Sequence, residues 1–236
     1  MNVVTIIQAR TGSTRLPAKV LETVGGRSVL SWVVHRVRRS RLHGTIVVAT
    51  SELERDETVA AECSRLDVPC FRGSETDVLD RFYRAMEAFD AEVVIRVTAD
   101  CPLLDAALFD VTVDTHVRDA ADYVTVEAVP EGLPAETISR AALARAWREA
   151  ALPYDREHVT PYVFTHPEEF DVVMLQPPPA LALPNWRLTL DDAHDLELLR
   201  ALHDVTGGAA FDLGADRLVE IVAGDPHLLE LATRRP

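Results

Sequence analysis

Arg10, Arg15 and Lys19 surround Gly12 in the stretch Gln8-Ala9-Arg10-Thr11-Gly12-Ser13-Thr14-Arg15-Leu16-Pro17-Ala18-Lys19, directly after the apolar run Val3-Val4-Thr5-Ile6-Ile7. Two guanidinium forks grip phosphate oxygens bidentately, and a lysine adds a compact charge. Glycine and small hydroxyl residues let backbone N–H groups approach an anion closely. The loop is not a Walker A loop, which needs Gly-Lys-Ser/Thr together, nor the GxGxxG of a dinucleotide fold. Far along the chain two carboxylates, Asp100 in Ala99-Asp100-Cys101-Pro102 and Asp191 in Thr189-Leu190-Asp191-Asp192, each end an expected strand. Such a pair suits one Mg²⁺, which takes one or two protein carboxylates, keeps several waters and bridges phosphate oxygens. Asp105 and Asp195 read as helix-capping residues. No His/Cys cluster has zinc spacing.

The 236 residues carry 24 Lys and Arg against 38 Asp and Glu, a formal net charge of -14, and are 47% hydrophobic. That is the balance of a chain with a sizeable core. An acidic chain is a poor partner for nucleic acid or an anionic membrane, whereas a local cationic loop on it suits a small anion. No apolar run approaches the roughly 20 residues of a membrane span, and no secretion signal is visible. Cys63, Cys70 and Cys101 show no CxxC spacing and read as reduced thiols, so a cytoplasmic location is expected.

The elements that must position these groups alternate. Strands are expected at 3–7, 45–50, 68–71 and 92–98, and helices at 28–42, 56–66, 77–89 and 105–118. Strict alternation with continuous apolar strands implies an α/β fold, a mainly parallel sheet with helices on both faces. Ligands of such sheets bind beyond the carboxyl ends of the strands, where the cationic loop and Asp100 lie. The second half is less regular. It reads as a strand at 122–126, a loop at 130–136, a helix at 139–151, strands at 170–176 and 186–190, and a helix at 193–205 closed by Gly207-Gly208. One domain over 1–236 is expected, with an insertion around 122–180 serving dimerisation or acceptor contact.

RTGSTRLPAKVL (10–21) resembles the N-terminal signature of the cytidylyltransferase family, the CMP-sugar synthetase type, and more closely its SpsF-like spore-coat polysaccharide branch. The resemblance continues through VVATS (47–51), FRGSETDVLDRF (71–82), IRVTADCPLLD (95–105), PEGLPAETI (130–138), REHVTPYV (156–163) and NWRLTLDDAHDLELL (185–199). It implies the Rossmann-like nucleotide-diphospho-sugar transferase fold. It also implies that the first loop wraps a triphosphate, with Ala9, Arg10, Gly12, Ser13, Arg15 and Lys19 as nucleotide contacts, and supports Asp100 and Asp191 as Mg²⁺ ligands. Arg10, Lys19, Asp100 and Asp191 are the expected catalytic set. The Arg72-Gly73-Ser74-Glu75-Thr76-Asp77 loop would lie against the nucleobase, Gly73 and Ser74 first, Arg72 and Asp77 less securely. Thr76 or Asp77 is equally a helix N-cap. Arg96, Glu136, Arg156, His158, Thr160 and Arg187 would meet the acceptor, with Arg156 or Arg187 supplying a guanidinium to an acidic one.

The activity so implied is transfer of a cytidylyl group from CTP to a small acidic sugar-like acceptor, with pyrophosphate released and positioning and electrostatics doing most of the work. Three alternatives stand beside it. One is a UTP- or dTTP-dependent sugar-1-phosphate nucleotidyltransferase. Another is a glycosyltransferase using a nucleotide sugar, which typically shows an Asp-x-Asp pair not found here. The third is a non-catalytic nucleotide-binding protein. Members of the family are commonly dimers, so a homodimer is expected, with a hairpin exposed around Val124 to Leu133 as its contact.

Overall fold

A computed structural model describes residues 1–234. β1 (Val3–Gln8) runs straight into the cationic loop, which closes in a 3₁₀ turn at Lys19–Leu21. A short hairpin, β2 (Thr23–Val24) with β3 (Arg27–Ser28), leads to α1 (Val29–Arg38), where Ser28 Oγ accepts from Ser31 N at 3.0 Å as N-cap. Alternation continues through β4 (Thr45–Ser51), α2 (Glu57–Arg65), β5 (Cys70–Gly73), α3 (Val78–Ala88), β6 (Val93–Thr98) and α4 (Ala106–Asp119). β7 (Tyr123–Val126), β8 (Glu136–Ser139), α5 (Arg140–Glu149), α6 (Pro153–His158), α7 (Pro161–Phe164) and β9 (Val172–Leu175) follow, then α8 (Ala193–Val205), α9 (Ala215–Gly224) and α10 (Pro226–Thr233).

Seven strands form one sheet in the order β5-β4-β1-β6-β8-β7-β9, with β8 antiparallel to both its neighbours and the other pairings parallel. From β1 the chain goes outward to β4 and β5, then crosses to β6 on the other side of β1. The strand order therefore reverses at β1/β6, and a crevice opens at their carboxyl ends. The alternating faces of the strands bury different cores. Val4, Ile6, Val94 and Ile138 pack with Leu79, Phe82, Met86 and Leu143 of α3 and α5. On the opposite face Ile7, Val48, Ile95 and Val97 pack with Leu30, Val33 and Val37 of α1 and Phe109 of α4. A third cluster joins α8, α9 and α10 to Trp32, Leu103, Leu133 and Leu190.

Helix α8 spans 193–205 as expected, and Asp105 caps α4 by accepting from Ala107 N and Leu108 N. Other expectations fail for stated reasons. Residues 136–139 are a strand, hidden in the sequence by the turn-forming Pro130–Pro134 stretch before them and the helix after. Residues 186–190 form no ladder, only an isolated bridge between Glu131 and Arg187, because the N–H groups of Arg187, Leu188 and Leu190 go to Ala232 O of α10, Glu131 O and Asp100 O. The stretch 124–133 is no exposed hairpin: β7 lies inside the sheet between β8 and β9, and Val124 and Leu133 are buried. No helix among the described residues is long and apolar enough to cross a membrane.

Candidate active site

The cationic loop is shaped by a carboxylate that the sequence does not announce. Asp56, fully buried, accepts from Thr11 N at 2.7 Å and Thr11 Oγ1 at 2.6 Å, and also takes the Ser51 hydroxyl. Burial pushes the Asp56 carboxyl up, but those donors together outweigh it and hold it below its ordinary value. Thr11 O in turn accepts from Ser13 N and Ala18 N, both at 2.9 Å, which folds the loop back on itself. Gly12 lies under an Arg55–Glu75 ion pair, and a Cβ there would stand 2.8 Å from Arg55 Nη2, so a side chain would push that guanidinium aside. Ala9, Arg10, Gly12, Ser13, Arg15 and Lys19 all line one cavity of about 790 Å³ at the β1/β6 crevice.

Asp100 and Asp191, distant in sequence, meet there. Lys19 Nζ is 2.7 Å from Asp100 Oδ2 and 2.8 Å from Asp191 Oδ1. Arg15 Nη2 lies 3.1 Å from Asp191 Oδ1, and Arg187 Nη2 lies 3.0 Å from Asp191 Oδ2. The 186–190 segment makes this meeting: Leu190 N donates to Asp100 O at 2.7 Å and Thr189 Oγ1 to the same oxygen at 3.0 Å. Asp192 and Asp195 form a capping box for α8, and Asp195 Oδ2 also accepts from Asp191 N at 2.7 Å. Burial raises the Asp191 carboxyl, but Lys19, Arg187 and Arg15 outweigh it and hold it below its ordinary value. Burial lowers the Lys19 ammonium, and Asp100 and Asp191 more than offset it, so Lys19 stays above its ordinary value. Two carboxylate oxygens already converge on one cation, the donor set a hard divalent ion takes.

The opposite end of the cavity lies on the α3 face of the sheet. Gln8, Arg96, Thr98 and Glu136 line it from the strands, Val78 and Arg81 from α3, and Glu157 and His158 from α6. Glu136 is saturated: Oε2 pairs with Arg96, and Oε1 accepts from Tyr123 Oη at 2.5 Å and Thr160 Oγ1 at 3.2 Å. His158 is presented by a strained turn. Val159 has φ 74° and ψ -56°, and Thr160 N bonds back to His158 O at 2.9 Å, a γ-turn that α6 ends on. Arg10 Nη2 reaches Glu157 Oε1 at 3.3 Å across the mouth.

Arg72, Gly73, Ser74, Asp77, Arg156, Thr160 and Arg187 do not line the cavity. Arg72 donates to Ser51 O and Leu53 O, both at 3.0 Å, and braces the loop before α2. Asp77 is the N-cap of α3 and pairs with Arg156, whose Nε stands 3.0 Å from Asp77 Oδ1 while Nη1 donates to Trp147 O at 2.6 Å. Arg187 spans Glu131 at 2.6 Å and Asp191, so neither arginine expected for an acidic acceptor has a free guanidinium. Sequence reasoning missed Gln8, Asp56, Arg81 and Glu131. Arg81 left one signal: it falls on the buried face of α3 with Val78, Phe82 and Ala85, where an arginine is out of place.

Comparison with known proteins agrees with this geometry. The cytidylyltransferase family model matches residues 4–203. The spore coat polysaccharide biosynthesis protein SpsF of Bacillus subtilis is 38% identical over 235 residues, 98% of this chain and 96% of that one. The 3-deoxy-manno-octulosonate cytidylyltransferase of Geobacter sulfurreducens is 34% identical over 110 residues, 47% of this chain and 43% of that one. A solved cytidylyltransferase from Leptospira borgpetersenii superposes with a TM-score of 0.90 at 27% identity, covering 100% of this chain and 98% of that chain. With the sheet reversing at β1/β6 and the match running through loop, crevice and α8, the chain belongs to the cytidylyltransferase family.

Proposed function

We propose that the protein transfers the cytidylyl group of CTP to a hydroxyl of a small acidic sugar, giving the CMP-conjugate and pyrophosphate. The observation that carries this reading is the meeting of Asp100 and Asp191 on Lys19, beside the Arg10–Arg15 loop in one cavity. The acceptor hydroxyl gives its proton to water as its oxygen attacks the α-phosphorus, the bond from that phosphorus to the bridging oxygen of the β-phosphate breaks, and pyrophosphate leaves with the electron pair. Arg10, Ser13, Arg15 and Lys19 would hold the phosphates and stabilise the charge on the departing group. Asp100 and Asp191 would hold Mg²⁺, which supplies charge neutralisation on the phosphate oxygens and acidifies the acceptor hydroxyl when bound. Arg187 and Asp195 fix Asp191 in place. His158, Arg96 and Glu136 would face the acceptor. The acidic character of the acceptor is supported by the likeness to a 3-deoxy-manno-octulosonate enzyme. A cytoplasmic location and a homodimer belong to the same proposal; cell fractionation tests the first and sedimentation the second.

Thermal unfolding with CTP, UTP, dTTP, ATP and GTP, each with and without Mg²⁺, tests the reading. A ligand at a hundred times its dissociation constant adds roughly 2.7 kcal/mol, so a selective rise with CTP and Mg²⁺ is expected. Pyrophosphate release with CTP and an acidic-sugar panel, lost on chelation and restored by Mg²⁺, completes it. A rise only with a nucleoside diphosphate sugar would assign a glycosyltransferase instead.

A further inference from the structure

Cytidine and uridine triphosphates share every phosphate and ribose contact and differ only on the base edge. Cytosine offers a donor (the 4-amino group) and two acceptors (N3 and O2), whereas uracil offers acceptor, donor, acceptor in the same positions. A site that takes the first and refuses the second needs an acceptor opposite the amine and a donor opposite N3. The Gly73–Asp77 loop does not line the cavity, and its Ser74 Oγ is occupied by Asp77 N at 3.0 Å.

Two buried groups on the cavity wall have unused hydrogen-bonding capacity of those two kinds. Gln8 Oε1, at the carboxyl end of β1, is a buried acceptor without a partner. Arg81 is 1% exposed, its Nε donor is unpartnered, and among the described residues it has no carboxylate in ion-pair range. The other arginines and the lysine on the wall each have one: Arg10 with Glu157, Arg15 and Lys19 with Asp191, Arg96 with Glu136. A buried guanidinium without a counter-charge is unfavourable unless something else accepts its hydrogen bonds. Burial and the neighbouring Arg10 push it down to about 10 against the opposite pull of Asp56 and Asp77, neither of which is in ion-pair contact, and this leaves it charged at neutral pH. Arg81 Nη1 donates to Ser74 O at 2.5 Å, so the fork is aimed by the fold before a ligand arrives. Ala9 and Val78 add apolar wall to the same cavity, suited to the faces of a flat ring.

We propose that Gln8 and Arg81 read the nucleobase: Gln8 Oε1 accepts from the exocyclic amine of cytosine, and the Arg81 fork donates to N3 and O2. The assignment rests on the cytidylyltransferase reading and adds its base-specificity residues. A uracil ring in the same pose sets its N3–H against the guanidinium donors, so that contact turns repulsive, whereas the Gln8 amide, held by no partner, can turn to face either exocyclic group.

Calorimetric titration of CTP, UTP and inorganic tripolyphosphate, all with Mg²⁺, into wild type, Arg81→Met and Gln8→Leu tests this. Arg81→Met is expected to weaken CTP about 10- to 100-fold, the worth of one hydrogen bond to a charged group, and to leave tripolyphosphate unchanged. Gln8→Leu, which spares the Arg81–Ser74 bond, is expected to weaken CTP while leaving tripolyphosphate as it was. A CTP affinity unmoved in Gln8→Leu overturns the proposal even where Arg81→Met fails to fold. So does loss of tripolyphosphate in parallel with CTP, which makes the residues phosphate contacts or braces. A wild type with no preference for CTP over UTP overturns the cytidylyltransferase reading, and this assignment with it.

Discussion

Removing the Asp56 carboxylate tests whether the phosphate loop is built from below. Thr11 donates twice to Oδ1, at 2.7 and 2.6 Å, and the fully buried Ser51 hydroxyl donates to Oδ2. Each hydrogen bond to a charged group is worth about 1.5–3 kcal/mol net, but three donors sharing one buried carboxylate do not add. Asp56→Ala should therefore cost about 3–4 kcal/mol, a fall in Tm of roughly 6–16 °C for a chain of this size. Asp56→Asn keeps the oxygen facing Thr11 and offers an amide to Ser51 Oγ, so about 1–2 kcal/mol is expected. Urea unfolding of Thr11→Val, Asp56→Ala and the double variant gives the coupling directly, expected at 1 kcal/mol or more. Because Thr11 opens the loop that carries Arg10 and Arg15, tripolyphosphate binding to Asp56→Ala should weaken about tenfold. The pH dependence has a definite sign. The carboxyl is depressed from 3.8, so its stabilisation is fully present above that value and fades as pH falls through the lower folded value. The gap between wild type and Asp56→Asn should thus be widest near neutrality and close in acid. Strictly additive Thr11 and Asp56 effects, or an Asp56→Ala variant as stable as wild type, would refute the argument.

Three further outcomes are expected. Asp191→Asn should abolish tight Mn²⁺ binding, read by the free-ion paramagnetic signal, and lower turnover at least a hundredfold; binding unchanged from wild type would remove Asp191 from the metal site. Arg187→Lys should behave like Arg187→Met in turnover, because a lysine cannot span Glu131 and Asp191 with two directed N–H groups; near-complete rescue by lysine would reduce Arg187 to a point charge. Gly132→Ala should lower stability by more than 1 kcal/mol in urea unfolding, since φ is 98° and the new Cβ would stand 2.8 Å from Leu188 O, whereas a neutral result would mean the 130–134 turn relaxes freely.

Much of the scaffold was legible in advance because its signals are local. Continuous apolar runs at β1, β4 and β6, alternating with amphipathic helices, dictate parallel pairing, and parallel pairing dictates a ligand site at the strand ends. The cation cluster is equally local, since Arg10, Arg15 and Lys19 share one turn. In the second half β7 and β9 register as strands, whereas β8, wedged between the 130–134 turn and α5, is hidden by its neighbours, and the apolar 186–190 segment passes for a strand.

What the tertiary structure alone decided is which charges remain available. Chain order cannot show that Arg156 is consumed by Asp77, or Arg187 by Glu131, because each pair forms across elements that meet only after folding. Nor can it show that Asp56 lies beneath Thr11, or that Arg81 reaches the cavity with no carboxylate in ion-pair range among the described residues. Residue type states what a side chain is able to bind; the free energy of burial and the identity of the nearest counter-charge, both properties of packing, determine whether it still has to.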